Sequence, residues 1–221
     1  MTIASNTIVK NGMPYIGDVL RQVAPLVDRM DIALSLFSRD DTYKEILKVM
    51  EEFPKKIYFS WEGTARSALL TEVRNIQVQR SKEDWILFLD DDDWWETDTL
   101  KKCLEEIKKD GDKYFAYSVT PWQLLDAEHY DVSWKNKSFS KFLRNKDLCY
   151  KGAYPEDMPT DKEGRKLYWK KHPLVKTLPH RFYHLSYLKK YSFRNEPWAR
   201  GYAFYKGEPA MLPEPFPGVI Y

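Results

Sequence analysis

Through residues 1–120, short apolar runs alternate with stretches whose apolar side chains recur every three or four positions. This alternation constrains the fold more than any other feature, because strand, amphipathic helix and strand in succession give a mostly parallel sheet covered by helices on both faces. Strands are expected at residues 7–10, 31–36, 56–59, 85–89 and 114–119, all rich in β-branched or aromatic side chains. Between them, residues 15–27 align Ile16, Val19, Leu20, Val23 and Val27, and residues 42–53 align Tyr43, Ile46, Leu47, Met50 and Phe53. A further helix opening at Thr97 turns Leu100, Cys103, Leu104 and Ile107 inward, and Gly111 is placed to end it. The expected fold class is therefore α/β, a mostly parallel sheet flanked by helices.

Beyond residue 120 the periodicity weakens. Residues 150–178 collect Gly152, Pro155, Pro159, Gly164 and Pro173, a loop-rich composition. Regular structure resumes as a strand at residues 180–184, with helical turns near 186–191 and 196–204. The 221 residues suffice for one domain with a continuous core. The longest apolar runs, residues 32–37 and 85–89, fall far short of the roughly 18–20 residues that cross a bilayer, so no transmembrane segment is expected. Residues 1–10 lack the pattern of a secretion signal, and two cysteines suit a reducing compartment. The expected location is cytoplasmic.

Charge is distributed unevenly. Residues 1–132 carry 17 basic against 25 acidic side chains, whereas residues 133–194 carry 16 against 5. Such a basic block either attracts a polyanionic partner or forms a solvated surface.

The strongest chemical signal is Trp85-Ile-Leu-Phe-Leu89 followed at once by Asp90, Asp91, Asp92, Asp93 and then Trp94-Trp95. Four adjacent carboxylates repel one another. At the carboxyl end of a strand in an α/β sheet, where ligands bind, a hard divalent cation relieves that repulsion.

This stretch resembles the Asp-x-Asp signature of family-2 glycosyltransferases with the GT-A fold. Ile8-Val-Lys-Asn11, Tyr15-Ile16, Leu20 and Val23-Ala-Pro-Leu-Val-Asp28 look like that family's first strand and helix, and Arg74-Asn75 like the pair before its fourth strand. The similarity covers roughly residues 7–110. It implies a Rossmann-like GT-A domain over residues 1–221, with residues 1–120 as the nucleotide-sugar-binding half. Residues 121–221 would form the acceptor-side half, including the basic insertion 133–194. It also implies a nucleotide-diphosphate sugar as donor, with Asp92 and, directly or through water, Asp90 holding Mn2+ or Mg2+ against the phosphates, and Asp91 facing the sugar or ribose. Asn11, at the end of the first-strand match, would be among the residues that bind the nucleotide sugar. Arg74 would either donate to a phosphate or pair with an Asp of the cluster, and Asn75 would contact the nucleotide or end a helix. The sequence departs from the family after the second strand, where Leu34-Ser-Leu-Phe37 replaces a base-contacting Asp. Ser35 offers only a neutral hydrogen bond there.

Inverting members of the family need a carboxylate base on a late helix. Glu196 in Arg194-Asn-Glu-Pro-Trp198 has the spacing, with Pro197 standing where the family carries an Asp; Asp157, beside Glu156, is the second candidate. His180 or His184 would serve as a further metal ligand or as a packed histidine. On a strand the two share a face but lie roughly 13 Å apart, too far to hold one ion together. The aromatics interleaved with the basic residues fit a saccharide or a nucleic acid. The acceptor is thus either a hydroxymethylated base in DNA, as for small viral enzymes of this kind, or an anionic glycan or lipid. Two other classes remain open: a nucleotidyltransferase, although no Gly-rich loop is present, and a non-catalytic nucleic-acid-binding protein, which leaves the acidic cluster without a role.

Overall fold

The computed structural model describes residues 1–63, 70–152, 158–161, 163–167, 172–186, 188 and 209–220. In chain order its elements are β1 (Ile3–Val9), α1 (Ile16–Val23), β2 (Arg29–Ser35), α2 (Thr42–Glu52), β3 (Ile57–Glu62), α3 (Leu70–Arg80), β4 (Trp85–Phe88), β5 (Asp93–Trp94), α4 (Thr97–Asp110), β6 (Ala116–Gln123), β7 (His129–Asp131), β8 (Phe139–Arg144), β9 (Cys149–Lys151), β10 (Met158–Thr160), β11 (Val175–His184) and β12 (Pro209–Met211). Eight strands form one sheet in the order β3-β2-β1-β4-β8-β6-β11-β5. Strands β1 to β4 run parallel, β8 is antiparallel to both β4 and β6, β11 is parallel to β6, and β5 closes the edge antiparallel to β11. The mostly parallel, helix-flanked sheet expected from the sequence is what forms. Among the described residues no helix is long and apolar enough to cross a membrane.

The topology positions the site. The chain runs outward from β1 through β2 to β3, and α3 then carries it back to β4 on the other side of β1. The loops leaving β1 and β4 therefore part at a switch point, where open α/β sheets present a crevice for ligands. One apolar core packs Ile16, Leu20, Ile46, Leu100 and Ile107 of the helices on Ile32, Leu34, Leu87 and Tyr117 of the sheet. A second, around Ile86, Leu143, Leu148 and Tyr150, covers the opposite face.

The short strands β5, β7, β9, β10 and β12 carry too few residues to show a period, and two longer elements, α3 and β8, were not expected because they break the apolar periodicity. Helix α3 buries a polar side chain against the sheet: Gln77 donates from Nε2 to the carbonyls of Thr7 and Asp31, both at 3.0 Å. The central strand β8 holds a lysine where an apolar residue is expected, and its pairing with β6 slips between Tyr117–Phe142 and Ser118–Ser140. Strands β8 and β11 both lie within residues 133–194, so that basic segment contributes to the middle of the sheet. Gly111 does end α4, but not in a left-handed conformation: its φ is −55°. A Cβ there would come within 3.3 Å of the Trp85 ring, so close packing accounts for the glycine. The turns expected at 196–204, and nearly all of those at 186–191, lie outside the described residues.

Candidate active site

The run from Asp90 to Asp93 leaves the end of β4 and turns directly into the edge strand β5. The turn is closed by the Asp93 amide, which donates to the Asp90 carbonyl at 3.1 Å, and by the Asp90 amide, which donates to Asp93 Oδ2 at 3.0 Å. The two tryptophans that follow fix it in place. Trp95 is fully buried and stacks on Phe182 with ring centres 4.9 Å apart, while Trp94 meets Phe216 edge to face at 5.2 Å. The Leu185 amide donates to the Asp92 carbonyl at 2.9 Å and ties the turn to the end of β11.

The four carboxylates have separate surroundings. Asp91 lies against the loop after β1, where a Cβ on Gly12 would sit 3.1 Å from Asp91 Oδ2 and 2.7 Å from Val9. Glycine thus allows that loop to approach the acidic turn. Asp92 and Asp93 meet His184, whose Nδ1 lies 3.5 Å from Asp92 Oδ1 and 3.1 Å from Asp93 Oδ1. Burial disfavours the charged ring of His184, but the neighbouring carboxylates outweigh burial and raise its pKa. Asp90 and Asp93 share the ammonium of Lys141, which lies 2.9 Å from Asp90 Oδ2 and also contacts Asp93 Oδ2. Burial opposes the lysine's charge as well, yet the two carboxylates hold its pKa above the ordinary value.

Asp92, Asp93 and His184 offer ligand atoms that all lie within 4.8 Å of one another. One hard cation with bonds of roughly 2 Å closes such a spacing after small side-chain adjustments. The residues therefore fit a divalent metal. Of the ligands expected from the sequence, Asp92 and His184 are brought together. Asp90 is engaged by Lys141, and His180 lines a surface recess with Lys102, Glu105, Glu106 and Lys109 of α4, outside the group formed by Asp92, Asp93 and His184.

Other expectations change as well. The Arg74 guanidinium rests over the rings of Phe88, at 4.4 Å, and Tyr150, at 5.4 Å. Burial would raise the pKa of Asp90, but Lys141 lowers it, and the charge of Arg74 adds to that effect. Asn75 lies inside α3, where its Nδ2 donates to the Tyr150 carbonyl at 3.0 Å and its Oδ1 accepts from the Tyr150 amide at 2.7 Å. Both ends of its amide are thus spent on pinning β9 to α3. Ser35 Oγ accepts from the Phe37 amide at 3.2 Å. Asn11, at a left-handed φ of 54°, joins the loops after β1 and β2: its amide donates to Ser38 Oγ and its Oδ1 accepts from the Arg39 amide, both at 2.7 Å. The candidate bases Glu196 and Asp157 lie outside the described residues.

Sequence reading missed Asp93 as a participant and Lys141 altogether. The lysine's only signal was a charged residue between Phe139 and Phe142 in a strand that went unrecognised. Part of the basic block also has intramolecular partners. Arg144 pairs with Asp112, Lys176 with Glu106 and Asp110, and Arg165 with Asp161 and Glu163.

Comparison with known proteins places these features in context. The family model described as Glycosyl transferase family 2 matches residues 36–189, a span that takes in the acidic turn, Lys141 and His184 and runs well past the residues whose resemblance was legible in the sequence. An uncharacterized glycosyltransferase of Haemophilus influenzae is 33% identical over 87 residues, covering 39% of this chain and 29% of that protein. Crystal structures of S. aureus TarS share the fold. One superposes with a TM-score of 0.55 at 15% identity over 83% of this chain and 36% of that one. A shorter form, residues 1–349 in complex with UDP-GlcNAc, gives a TM-score of 0.53 at 15% identity over 83% and 58%. The chain thus spans about a third of the length of its relatives' full chains.

Proposed function

The chain belongs to glycosyl transferase family 2, and from that premise we propose that it transfers a sugar from a nucleotide-diphosphate donor to a hydroxyl acceptor, with inversion, in the crevice above Asp91 and Asp92. The observation that carries this reading is the convergence of Asp92, Asp93 and His184 at the carboxyl end of the sheet. The UDP-GlcNAc bound by the TarS fragment supports a nucleotide sugar as the donor class.

Cleaving the bond from sugar to phosphate leaves a diphosphate of high charge density, and Mn2+ or Mg2+ held by Asp92 and His184 would offset that charge as it develops. The chain's own residues do the rest. The hydrogen-bonded turn and the buried Trp95 hold the carboxylates in position before substrate arrives. Gly12 admits the donor-side loop to the edge of Asp91. A carboxylate base is required on the acceptor side, and Glu196 and Asp157 are the candidates to replace first.

For the acceptor, the ion pairs of Arg144, Arg165 and Lys176 mean that part of the basic block serves the fold. Lys135, Lys137, Lys146, Lys151 and Lys166 remain exposed, which supports an anionic acceptor. DNA carrying hydroxymethylated bases and anionic glycans or lipids are the two classes to compare. Incubation with a panel of nucleotide sugars, Mn2+ and each acceptor class tests the proposal; absence of donor consumption under every condition would refute it.

A further inference from the structure

Lys141 has no role in the function just described, yet it is the most thoroughly buried cation among the described residues, with its side chain 5% exposed. It sits where β8 departs from regular pairing: the ladder with β6 passes from Phe142 opposite Tyr117 to Ser140 opposite Ser118, leaving Lys141 as the extra residue of a bulge. A bulge re-aims a side chain that regular alternation would send elsewhere. Here it sends the ammonium between the rings of Phe88 and Phe182, 5.7 and 5.0 Å from their centres, and onto Asp90 and Asp93.

We propose that Lys141 is a positioning residue that divides the acidic turn: it occupies Asp90 and Oδ2 of Asp93, and so leaves Asp92, Oδ1 of Asp93 and His184 to receive the divalent cation. This rests on the metal-assisted reading of the site. The physical reason is competition between cations. A metal ion bound at Asp90 would have to displace an ammonium already paired with two carboxylates in a buried setting, and the displaced charge would then face the metal at close range. On the opposite side of the turn, Oδ1 of Asp93 lies 3.1 Å from Nδ1 of His184, so that side of the turn faces a metal-ligating type of side chain and not an ammonium.

Calorimetric titration with Mn2+ alone, in the absence of donor, tests the assignment. Lys141→Met releases Asp90 and adds one uncompensated negative charge to the site, so Mn2+ should bind roughly tenfold or more tightly than to the wild type, while Lys141→Arg should leave affinity near the wild-type value. Asp90→Asn in the otherwise native chain should change affinity by less than about threefold, but in the Lys141→Met background it should remove the gain. Unchanged affinity in folded Lys141→Met would overturn the proposal. So would a loss in Asp90→Asn as large as that in Asp92→Asn, a comparison that holds even if Lys141→Met does not fold. The metal-assisted reading fails separately, if wild type binds no Mn2+. In that case a site gained in Lys141→Met and abolished by Asp90→Asn would still support the role of the lysine, and no gain would refute it.

Discussion

Asp93 and His184 stand opposite one another in the antiparallel pairing of β5 with β11, 91 positions apart in sequence, and their side chains meet at 3.1 Å. The contact is a consequence of strand register. A two-residue edge strand leaving the acidic turn pairs with the last two residues of β11, and the backbone ladder brings a carboxylate to an imidazole. Replacing His184 with Asn keeps the residue's approximate size and removes the ring nitrogen. Affinity for Mn2+ should fall by roughly tenfold or more with little change in the circular dichroism spectrum. An unaltered affinity would remove His184 from the ligand set.

The acidic turn depends on its aromatic anchor. Trp95 fills the space between Phe142 and Phe182, so Trp95→Leu should cost about 3 kcal/mol in urea denaturation. Because the residue follows Asp93 closely in the chain, the same variant should also weaken Mn2+ binding. Loss of stability with full metal affinity would show that the turn holds its shape without the stack.

Asn75 makes a different kind of statement. Its two hydrogen bonds to the Tyr150 backbone predict that Asn75→Ala destabilises the fold by about 1–2 kcal/mol without changing the KM for the donor. A raised KM at unchanged stability would restore the nucleotide-contacting role that its position beside Arg74 suggests.

A pH-dependent contribution comes from Asp110. Burial pushes its pKa up, but the ammonium of Lys176 and the hydroxyl of Tyr117 outweigh burial and hold it below the ordinary 3.8. A carboxyl lowered on folding stabilises the protein above its unfolded pKa, and that stability is lost as pH falls through the folded value. Asp110→Asn should therefore cost about 1 kcal/mol at neutral pH, and its stability should decline less than that of wild type below about pH 4. Parallel acid limbs in the two proteins would contradict the assignment.

The parts of this molecule legible from sequence are those in which one physical signal dominates. Apolar periodicity located α1, α2 and α4, and the apolar run before Asp90 located β4 and the acidic turn. The longer elements that were missed carry polar side chains inside: α3 presents Gln77 to the sheet, and β8 buries Lys141; the others, β5, β7, β9, β10 and β12, span two or three residues each, too few to show a period. At the site, the carboxylates were visible as neighbours in sequence, whereas the meeting of His184 with Asp93 depends on a strand register that no local pattern encodes. The charge asymmetry is partly internal to the fold, because Lys141, Arg144 and Lys176 pair with Asp93, Asp112 and Asp110 of the acidic segment 1–132.

The most direct test of the account is donor turnover measured with Mn2+ and with EDTA for wild type and Asp92→Asn. Wild type is expected to consume at least one nucleotide sugar only when metal is present, and Asp92→Asn, folded to the same extent, to lose at least about a hundredfold of that rate. Equal turnover by the two proteins, or turnover indifferent to EDTA, would contradict it.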